Sequence, residues 1–329
     1  MSKSSIVIAA LIVCLVLLAA GAWVLFGQAT GFDYAHADEY TAGDATVTDP
    51  IENLDVNWLN GKVNIEYHEG SGVYVSETAL GSISEDMQLR WWLDGTTLRI
   101  QYAKPGLHLF VNIQKYLTVS LPQGITLKSA VIKATSADLN IPSLMAETTV
   151  LETTSGNMCT GVTTGKLTAS STSGSMDISQ MGDAEKVVFS VTSGNINAQL
   201  NNAKELVTNS TSGSITLHGT GSTDSMGLHS TSGNIYAEFD KVNKAEISST
   251  SGAITTKFGA CDRLSINATS GDVTAFLPVE PGFSCTVNTA SGGFESDIPL
   301  EKRGNTYTCG NGSAQYQINT TSGSIHIAQ

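Results

Sequence analysis

One tripeptide recurs through the second half of the chain. Thr-Ser-Gly occurs eight times and Ala-Ser-Gly once. Their glycines are Gly156, Gly174, Gly194, Gly213, Gly233, Gly252, Gly271, Gly292 and Gly323. Successive glycines are 18, 20, 19, 20, 19, 19, 21 and 31 residues apart, and Thr135-Ser136-Ala137 is a degenerate copy that precedes the first of them. Repeats of this length are typical of proteins in which each unit packs on the next.

Each repeat carries two apolar positions with polar residues between them. The first lies two residues after the glycine: Met158, Met176, Ile196, Ile215, Ile235, Ile254, Val273, Phe294 and Ile325. The second lies five residues before it in most copies: Leu151, Phe189, Leu228, Ile247, Ile266, Val287 and Ile318. Both flanks alternate with period 2, which indicates half-buried strands. The alternation changes phase across Ser-Gly, so we expect a corner there, with the glycine at positive φ.

A unit of about 19 residues cannot bury its own apolar face and must stack on its neighbours, about 4.8 Å apart. The repeat therefore predicts an all-β fold, a single-stranded parallel β-solenoid (β-helix), over residues 143–329. Residues 51–142 are strand-like without the motif and predict an irregular, partly antiparallel β cap continuous with the solenoid. The last, longer spacing predicts a loop insertion at about 297–312. A β-propeller is the alternative, but its blades need about 40 residues and four strands.

The N-terminus contains an uncharged apolar run from Ile6 to Phe26. A helix of that length can cross about 30 Å of hydrocarbon. Lys3 precedes the run and acidic residues follow it, which predicts a cytoplasmic N-terminus and an extracytoplasmic solenoid at the cell membrane. We expect a cytoplasmic stub at 1–5, a transmembrane anchor at 6–27 and a polar tether at 28–50. The alternative is a cleaved signal peptide, because Ala20-Gly21-Ala22 resembles a cleavage site.

The excess of acidic residues argues against nucleic acid as a partner. The polar residues are scattered, and we expect no metal and no cofactor. There are 17 basic and 30 acidic residues, and phosphate binding needs the opposite excess. His218 and His229 could approach each other on adjacent repeats, but we interpret them as surface residues. A threonine stands two residues before most of the corner glycines. The outward position two residues before each of these threonines varies, so no second threonine column lies beside the first. We therefore expect the threonines to make hydrogen bonds within the corners. The isolated charges are Asp177, Glu238, Lys257 and Asp272.

Aromatic and cysteine residues offer two further candidates. Trp91 and Trp92 are expected in the core, although alternation directs one of them outward, where it would suit a glycan. Cys285 and Cys309 could form a disulfide in an oxidising compartment, and two buried free thiols are the alternative.

The motifs together resemble a bacterial family of β-strand repeat proteins labelled putative adhesins. They comprise the Gly61–Ile65 strand, the later Asp94-Gly95 hairpin and the tandem Ser-Gly-[Asn/Ser/Asp]-[Ile/Val] corners. The resemblance covers about residues 50–329 and implies an envelope protein with no catalytic residues to carry over.

Three functions follow as hypotheses. The leading one is a non-enzymatic cell-surface interaction or structural protein, adhesin-like, with a cell-wall polymer, a glycan or a surface protein as partner. The second is an envelope-stress accessory or sensor that signals through its membrane segment. The third, a carbohydrate-active enzyme, needs clustered carboxylates that the repeats do not supply.

Overall fold

The structure, a computed structural model, describes residues 29–109 and 113–329. The predicted stub at 1–5 and the predicted anchor at 6–27 lie outside these ranges. Among the described residues, no helix is long and apolar enough to cross a membrane. They form two 3-10 helices, Ala37–Glu39 and Glu85–Met87, and otherwise strands, turns and bends.

The strands fall into three consecutive groups. The first group is β1 (Ala29–Phe32), β2 (Thr41–Ala42), β3 (Ala45–Val47), β4 (Asn53–His68), β5 (Val73–Ala79), β6 (Arg90–Asp94), β7 (Thr97–Gln101), β8 (Gly106–Leu109) and β9 (Lys115–Pro122). The second is β10 (Leu127–Ile141), β11 (Met145–Thr153), β12 (Met158–Ser173), β13 (Met176–Gln180), β14 (Ala184–Ser193), β15 (Ile196–Leu200), β16 (Ala203–Ser212), β17 (Ile215–Ser232), β18 (Ile235–Ser251), β19 (Ile254–Ser270) and β20 (Val273–Phe276). The third is β21 (Gly282–Ser291), β22 (Phe294–Ser296), β23 (Glu301–Arg303), β24 (Thr306–Gly310), β25 (Ala314–Ser322) and β26 (Ile325–Ala328).

The repeats form an all-β, solenoid-like stack of parallel strands. We call one repeat in this stack a rung; it contains a stretch before the Ser-Gly corner and a stretch after it. Equivalent residues of consecutive rungs are paired in register, as Ile215 is with Ile235 and Ile235 with Ile254. The stacked backbones are hydrogen-bonded across the corner as well, for example from Ile235 N to Ala253 O at 2.9 Å.

The interior of the stack consists of the two predicted apolar columns. Every residue named above for the position five before the glycine is buried, and so is every one for the position two after it except Phe294. Phe294 belongs to the rung at the end of the stack, where its half-buried ring packs on the ring of Tyr307 at 4.4 Å between centroids. The period-2 assignment of inward and outward residues is therefore confirmed.

The corner glycines are required by close approach more than by backbone conformation. Positive φ occurs at Gly194 and Gly213, both at 152°, so the expectation of positive φ is wrong for the other corners. What all of them share is a carbonyl oxygen of an adjacent rung directly beside their Cα. A Cβ added to Gly213 would lie 1.8 Å from the oxygen of Gly194, far inside any van der Waals contact.

At several corners the polar residue after the glycine links one rung to the next, although Gly252 and Gly292 are followed by Ala253 and Gly293. Asn195 Oδ1 accepts a hydrogen bond from Ser214 N at 3.0 Å, and Asn234 Oδ1 accepts one from Ala253 N at 2.9 Å. The side chain thus satisfies a backbone donor that the bend would otherwise leave unpaired. This explains the Asn, Ser and Asp residues at that position.

The N-terminal end of the stack begins earlier than the motif shows. Strand β4 is a complete rung paired in register with β10, and Gly61 and Ala137 are opposite each other in the corner column. Beyond β4, strands β7 and β9 continue the parallel pairing, while β2, β3, β5 and β6 add antiparallel pairs. The expected hairpin at Asp94-Gly95 joins β6 to β7.

The segment predicted as a tether at 28–50 is partly built into the same sheet. Strand β2 pairs with β6 through Thr41 and Trp91, and β3 pairs with β5 through Val47 and Val73. The side chains of Tyr40 and Val47 are buried in the protein. Their burial holds this segment on the sheet, although its polar composition suggested a free chain.

The C-terminal end of the stack departs from the order of the sequence. Strand β25 lies between β19 and β21, and β26 lies between β20 and β22. The last repeat in the chain is therefore inserted between the two repeats that precede it. The expected loop at 297–312 is wrong: this segment contains the β23–β24 hairpin, and β24 pairs antiparallel with the outer edge of β21.

Candidate functional site

A shallow polar groove runs along the stack on the stretch that precedes each corner. One part of it has a volume of about 600 Å³ and is lined mainly by residues 170–172, 190–192, 209–211, 229–231 and 248–250. A second part of about 520 Å³ continues from there over 267–269, 319–321 and 288–290. We call both parts together the hydroxyl groove, because Ser, Thr and Asn line most of it.

The outward wall of the hydroxyl groove is a column of threonines two residues before the corner. The threonine column consists of Thr154, Thr172, Thr192, Thr211, Thr231, Thr250, Thr269 and Thr321, all exposed. In the described part of the chain, their hydroxyls make no hydrogen bond to another protein group. These hydroxyls can therefore both donate to and accept from a partner outside the chain.

The corner hydrogen bonds come from the next residue toward the N-terminus, whose side chain points inward. Ser210 Oγ donates to Gly213 O at 2.9 Å, and Ser230 Oγ donates to Gly233 O at 3.1 Å. The interpretation that the threonine column serves corner hydrogen bonding is therefore wrong. At the corners of Gly213 and Gly233 the inward serine already satisfies the bend, and the outward threonine is left free.

The second outward column of the hydroxyl groove is bonded along its own length near the C-terminal end. Asn305 Nδ2 donates to Asn288 Oδ1 at 2.9 Å, and Asn288 Nδ2 donates to Asn319 Oδ1 at 2.8 Å. Asn319 Nδ2 in turn donates to Asn267 Oδ1 at 2.9 Å. The bonds follow the spatial order of the rungs rather than their sequence order. This fixes the side-chain amides of these four residues.

The hydroxyl groove is electrically neutral apart from His229. Its lining residues include no Asp, Glu, Lys or Arg. Charges on the stack are instead paired across neighbouring rungs outside the groove, as in Lys186–Glu205 and Lys257–Glu238, both at 2.8 Å. Glu238 and Lys257 are thus an ion pair, and Asp272 Oδ1 accepts Ser324 N at 2.7 Å, so these residues are not isolated.

The two histidines do not approach each other. His218 lies on the stretch after a corner, 3.5 Å from a carboxylate oxygen of Glu238, whereas His229 lies in the hydroxyl groove with Nδ1 2.8 Å from Ser248 Oγ. Among the described residues, no three His, Cys, Asp or Glu side chains are grouped as a metal site would require.

Cys285 and Cys309 are free thiols. They lie on adjacent antiparallel strands, but Cys309 is opposite Phe283, and Cys285 is opposite Tyr307. Diagonal neighbours of this kind are about 7–8 Å apart, which is beyond the reach of a disulfide. Burial raises the pKa of the Cys285 thiol to about 12.

The tryptophan pair divides between core and surface. Trp91 packs against the hydrophobic core. The ring of Trp92 contacts His36 and Tyr40, with centroids at 5.5 and 5.6 Å. Tyr40 also packs on Tyr34 at 4.7 Å, so Trp92 belongs to an aromatic cluster of the cap.

A buried ion pair in the cap had no signal in the sequence. Lys115 is fully buried, and its Nζ lies 2.6 Å from Glu77 Oε2 and 2.7 Å from Met87 O, to which it donates. A third bond goes to Tyr102 O, and the ammonium also faces the rings of Trp58 and Tyr102. Burial lowers the pKa of Lys115, and the Glu77 carboxylate opposes that shift. The ammonium thus links Lys115 in β9 to the Glu77 carboxylate in β5 by an ion pair and to the backbone at Met87 and Tyr102 by hydrogen bonds.

The repeat architecture places the chain among known proteins. Two overlapping matches to the family model Toastrack DUF4097 cover residues 51–263 and 166–328. The chain belongs to the Toastrack DUF4097 family. No curated protein matches this Toastrack chain.

Three solved structures illustrate its similarity to other proteins. One is a putative adhesin from Parabacteroides merdae, at 13% identity and a TM-score of 0.37, covering 88% of this chain and 97% of that one. A putative lipid binding protein from Parabacteroides distasonis has 12% identity and a TM-score of 0.35, covering 87% and 96%. A putative cell adhesion protein from Clostridium sporogenes has 12% identity and a TM-score of 0.26, covering 88% and 99%. At these scores the likenesses carry no argument about function.

Proposed function

We propose that this chain is a non-enzymatic protein, anchored in the bacterial cell membrane by residues 6–27, that acts outside the cytoplasm as a cell-surface interaction or structural protein. The hydroxyl groove is its contact surface. The observation that carries the proposal is the threonine column, which is exposed on consecutive rungs and has no partner within the described protein.

The chemistry of the hydroxyl groove favours a neutral, extended partner. Its hydroxyls repeat about every 4.8 Å along the stack, and they both donate and accept. A single hydrogen bond contributes only about 0.5–1.5 kcal/mol net. Because micromolar affinity needs about 8 kcal/mol, several rungs must act together. A wall polymer, a glycan or an extended segment of a surface protein offers groups at many successive positions.

The contact surface is tested by removing hydroxyls without changing side-chain shape. The variant Thr211→Val, Thr231→Val, Thr250→Val removes three groups from the hydroxyl groove and keeps β-branched residues on the strands. Its matched control is Thr216→Val, Thr255→Val, Thr274→Val, three half-buried threonines on the stretch after the corner. Binding to isolated cell wall, to purified wall glycan and to immobilised surface proteins is measured for both. We expect at least a tenfold loss for the groove variant only.

Two outcomes contradict the proposed contact surface. One is wild-type binding by the groove variant, and the other is an equal loss in both variants. The anchored topology is tested separately by adding protease to intact cells from which the wall has been removed. We expect digestion beyond about residue 30. A fully protected C-terminus would contradict the extracytoplasmic location and leave the groove result unaffected.

A further inference from the structure

One titratable ring lies among the neutral side chains of the hydroxyl groove. His229 belongs to the rung that contributes residues 229–231 to the lining, between the rungs that contribute 209–211 and 248–250. A partner that contacts several of these rungs at once must therefore cover the His229 ring. Of the described side chains that line the groove, this is the one whose charge changes between about pH 5 and pH 8.

The His229 ring has a defined position in the groove. Its Nδ1 is 2.8 Å from Ser248 Oγ in the next rung. Gly227, the preceding outward residue of the same strand, has no side chain, and a Cβ added there would lie 3.6 Å from His229 Nε2. The adjacent rungs carry Val207 and Glu246 at that position, so the ring lies over a gap between two side chains. Within the described protein Nε2 has no hydrogen-bond partner, which leaves it available to a bound molecule.

No charged residue of the described chain lies opposite His229 in the adjacent rungs. The residues opposite it are Asn209 and Ser248. Over the packed stretches 203–212, 222–232 and 241–251, the charged residues are Lys204, Glu205, Asp224, Lys241, Lys244 and Glu246. Glu246 is exposed and lies opposite Gly227 instead. A positive charge on the ring is therefore stabilised mainly by water while the groove is empty.

A neutral partner interacts differently with the two forms of the ring. The uncharged imidazole offers one donor and one acceptor, as the surrounding hydroxyls do, whereas the charged form only donates. Covering the charged form with a neutral molecule removes its water and supplies no opposite charge, which disfavours that form. The uncharged ring is therefore the one that suits the partner for which the groove is built.

We propose that His229 makes binding in the hydroxyl groove depend on pH, because the groove holds its neutral partner well only while the ring is uncharged. Affinity is then fully present above the pH range in which a histidine titrates and is lost as the pH falls through that range. This inference rests on the proposed function of the groove and adds its regulation.

The inference is tested by measuring binding of the full-length protein at pH 7.5 and pH 5. The probe is purified wall glycan from which charged polymers have been extracted, so that the partner itself does not titrate. We expect the wild type to bind about tenfold more weakly at pH 5. The variant His229→Asn places in this rung the residue that stands at the same position as Asn209, Asn267 and Asn319. It should bind like the wild type at pH 7.5 and equally well at pH 5.

The matched control is His218→Asn, because His218 lies outside the hydroxyl groove. This variant should keep the full pH dependence of the wild type. Equal wild-type affinity at the two pH values, stronger binding at pH 5, or a pH dependence that persists in His229→Asn would overturn the inference and leave the proposed contact surface intact. Absence of wild-type binding at both pH values would contradict the proposed function and this inference together.

Discussion

Replacing Gly213 by alanine should be among the most damaging single-methyl changes available in this chain. The added Cβ would lie 1.8 Å from Gly194 O and 2.6 Å from Gly194 C, where carbon and oxygen need more than 3 Å. Both contacts are with backbone, so no side-chain rotation relieves them. The two rungs must therefore separate by more than 1 Å at the corner.

The cost follows from the bonds that such a separation stretches. Gly194 N donates to Ser212 O at 3.1 Å, and Ile196 N donates to Ser214 O at 2.9 Å. Losing two such bonds costs about 1–3 kcal/mol, and crowding of a packed corner costs about 1–3 kcal/mol more. We expect the free energy of unfolding to fall by about 2–6 kcal/mol, measured by urea unfolding.

The matched control is Gly227→Ala in strand β17, which begins two residues after Gly213. Its added Cβ would have His229 Nε2 as nearest neighbour at 3.6 Å, an ordinary contact. This change should alter stability by less than about 1 kcal/mol, because it adds no clash and restricts the unfolded chain. Hydrogen exchange should rise in the rungs around Gly213 for the first variant only. Equal unfolding midpoints for the two variants would refute the close-approach explanation of the corner glycines.

Three further predictions concern the cap, the core column and the thiols. Lys115→Met leaves the Glu77 carboxylate buried and unpaired, so the free energy of unfolding in urea should fall by about 3–5 kcal/mol. The double variant Lys115→Met, Glu77→Gln should regain most of this loss, and a single variant as stable as the wild type would contradict the buried pair. Ile235→Ala should lower the free energy of unfolding by about 2–5 kcal/mol and raise hydrogen exchange first between Gly213 and Gly252, whereas Thr216→Ala should lower it by under 1 kcal/mol. A uniform rise in hydrogen exchange over the whole chain would contradict a linear stack. Burial raises the pKa of Cys261 and Cys285 to about 12, so almost no thiolate forms there at pH 8. Iodoacetamide should therefore modify exposed Cys159 in the folded protein, and Cys261 and Cys285 only after unfolding. Equal modification of the three cysteines, mapped by mass spectrometry, would contradict the burial of these two.

The repeat made much of this fold predictable from the sequence. Period-2 alternation around each Ser-Gly identified the inward columns correctly, because a strand has only two faces and one of them must be buried. The reason for the glycines was not visible, since both positive φ and close approach select glycine. Only the carbonyl oxygen next to each Cα in the adjacent rung separates the two causes.

The order of the last rungs could not be predicted for a related reason. Every repeat carries the same pattern, so β25 fits beside β19 as well as β21 would, and no residue marks the order. A spacing of 31 residues is compatible with a loop. It is equally compatible with a hairpin that is followed by a strand inserted out of sequence order. The Lys115–Glu77 pair lies outside the repeat and joins residues far apart in the chain, so the repeat pattern could not predict it.

The candidate site was only half visible. The sequence showed the threonine column, but hydroxyls that serve a corner and hydroxyls that face a partner have the same spacing. The structure separates them because Ser210 and Ser230 already donate to the corner carbonyls. His218 and His229 lie in the same strand β17 on either side of an irregularity near Gly219–Ser222, and no sequence motif marks that bend.

Site-specific photocrosslinking in living cells tests the proposed contact surface most directly. A photoreactive amino acid is placed at Thr231 in the hydroxyl groove, and in a matched variant at Thr216 on the stretch after the corner. We expect Thr231 to give a discrete crosslinked product with an envelope polymer or a surface protein, and Thr216 to give none. Equal crosslinking from both positions, or product from Thr216 alone, would contradict the hydroxyl groove as the surface that binds a partner.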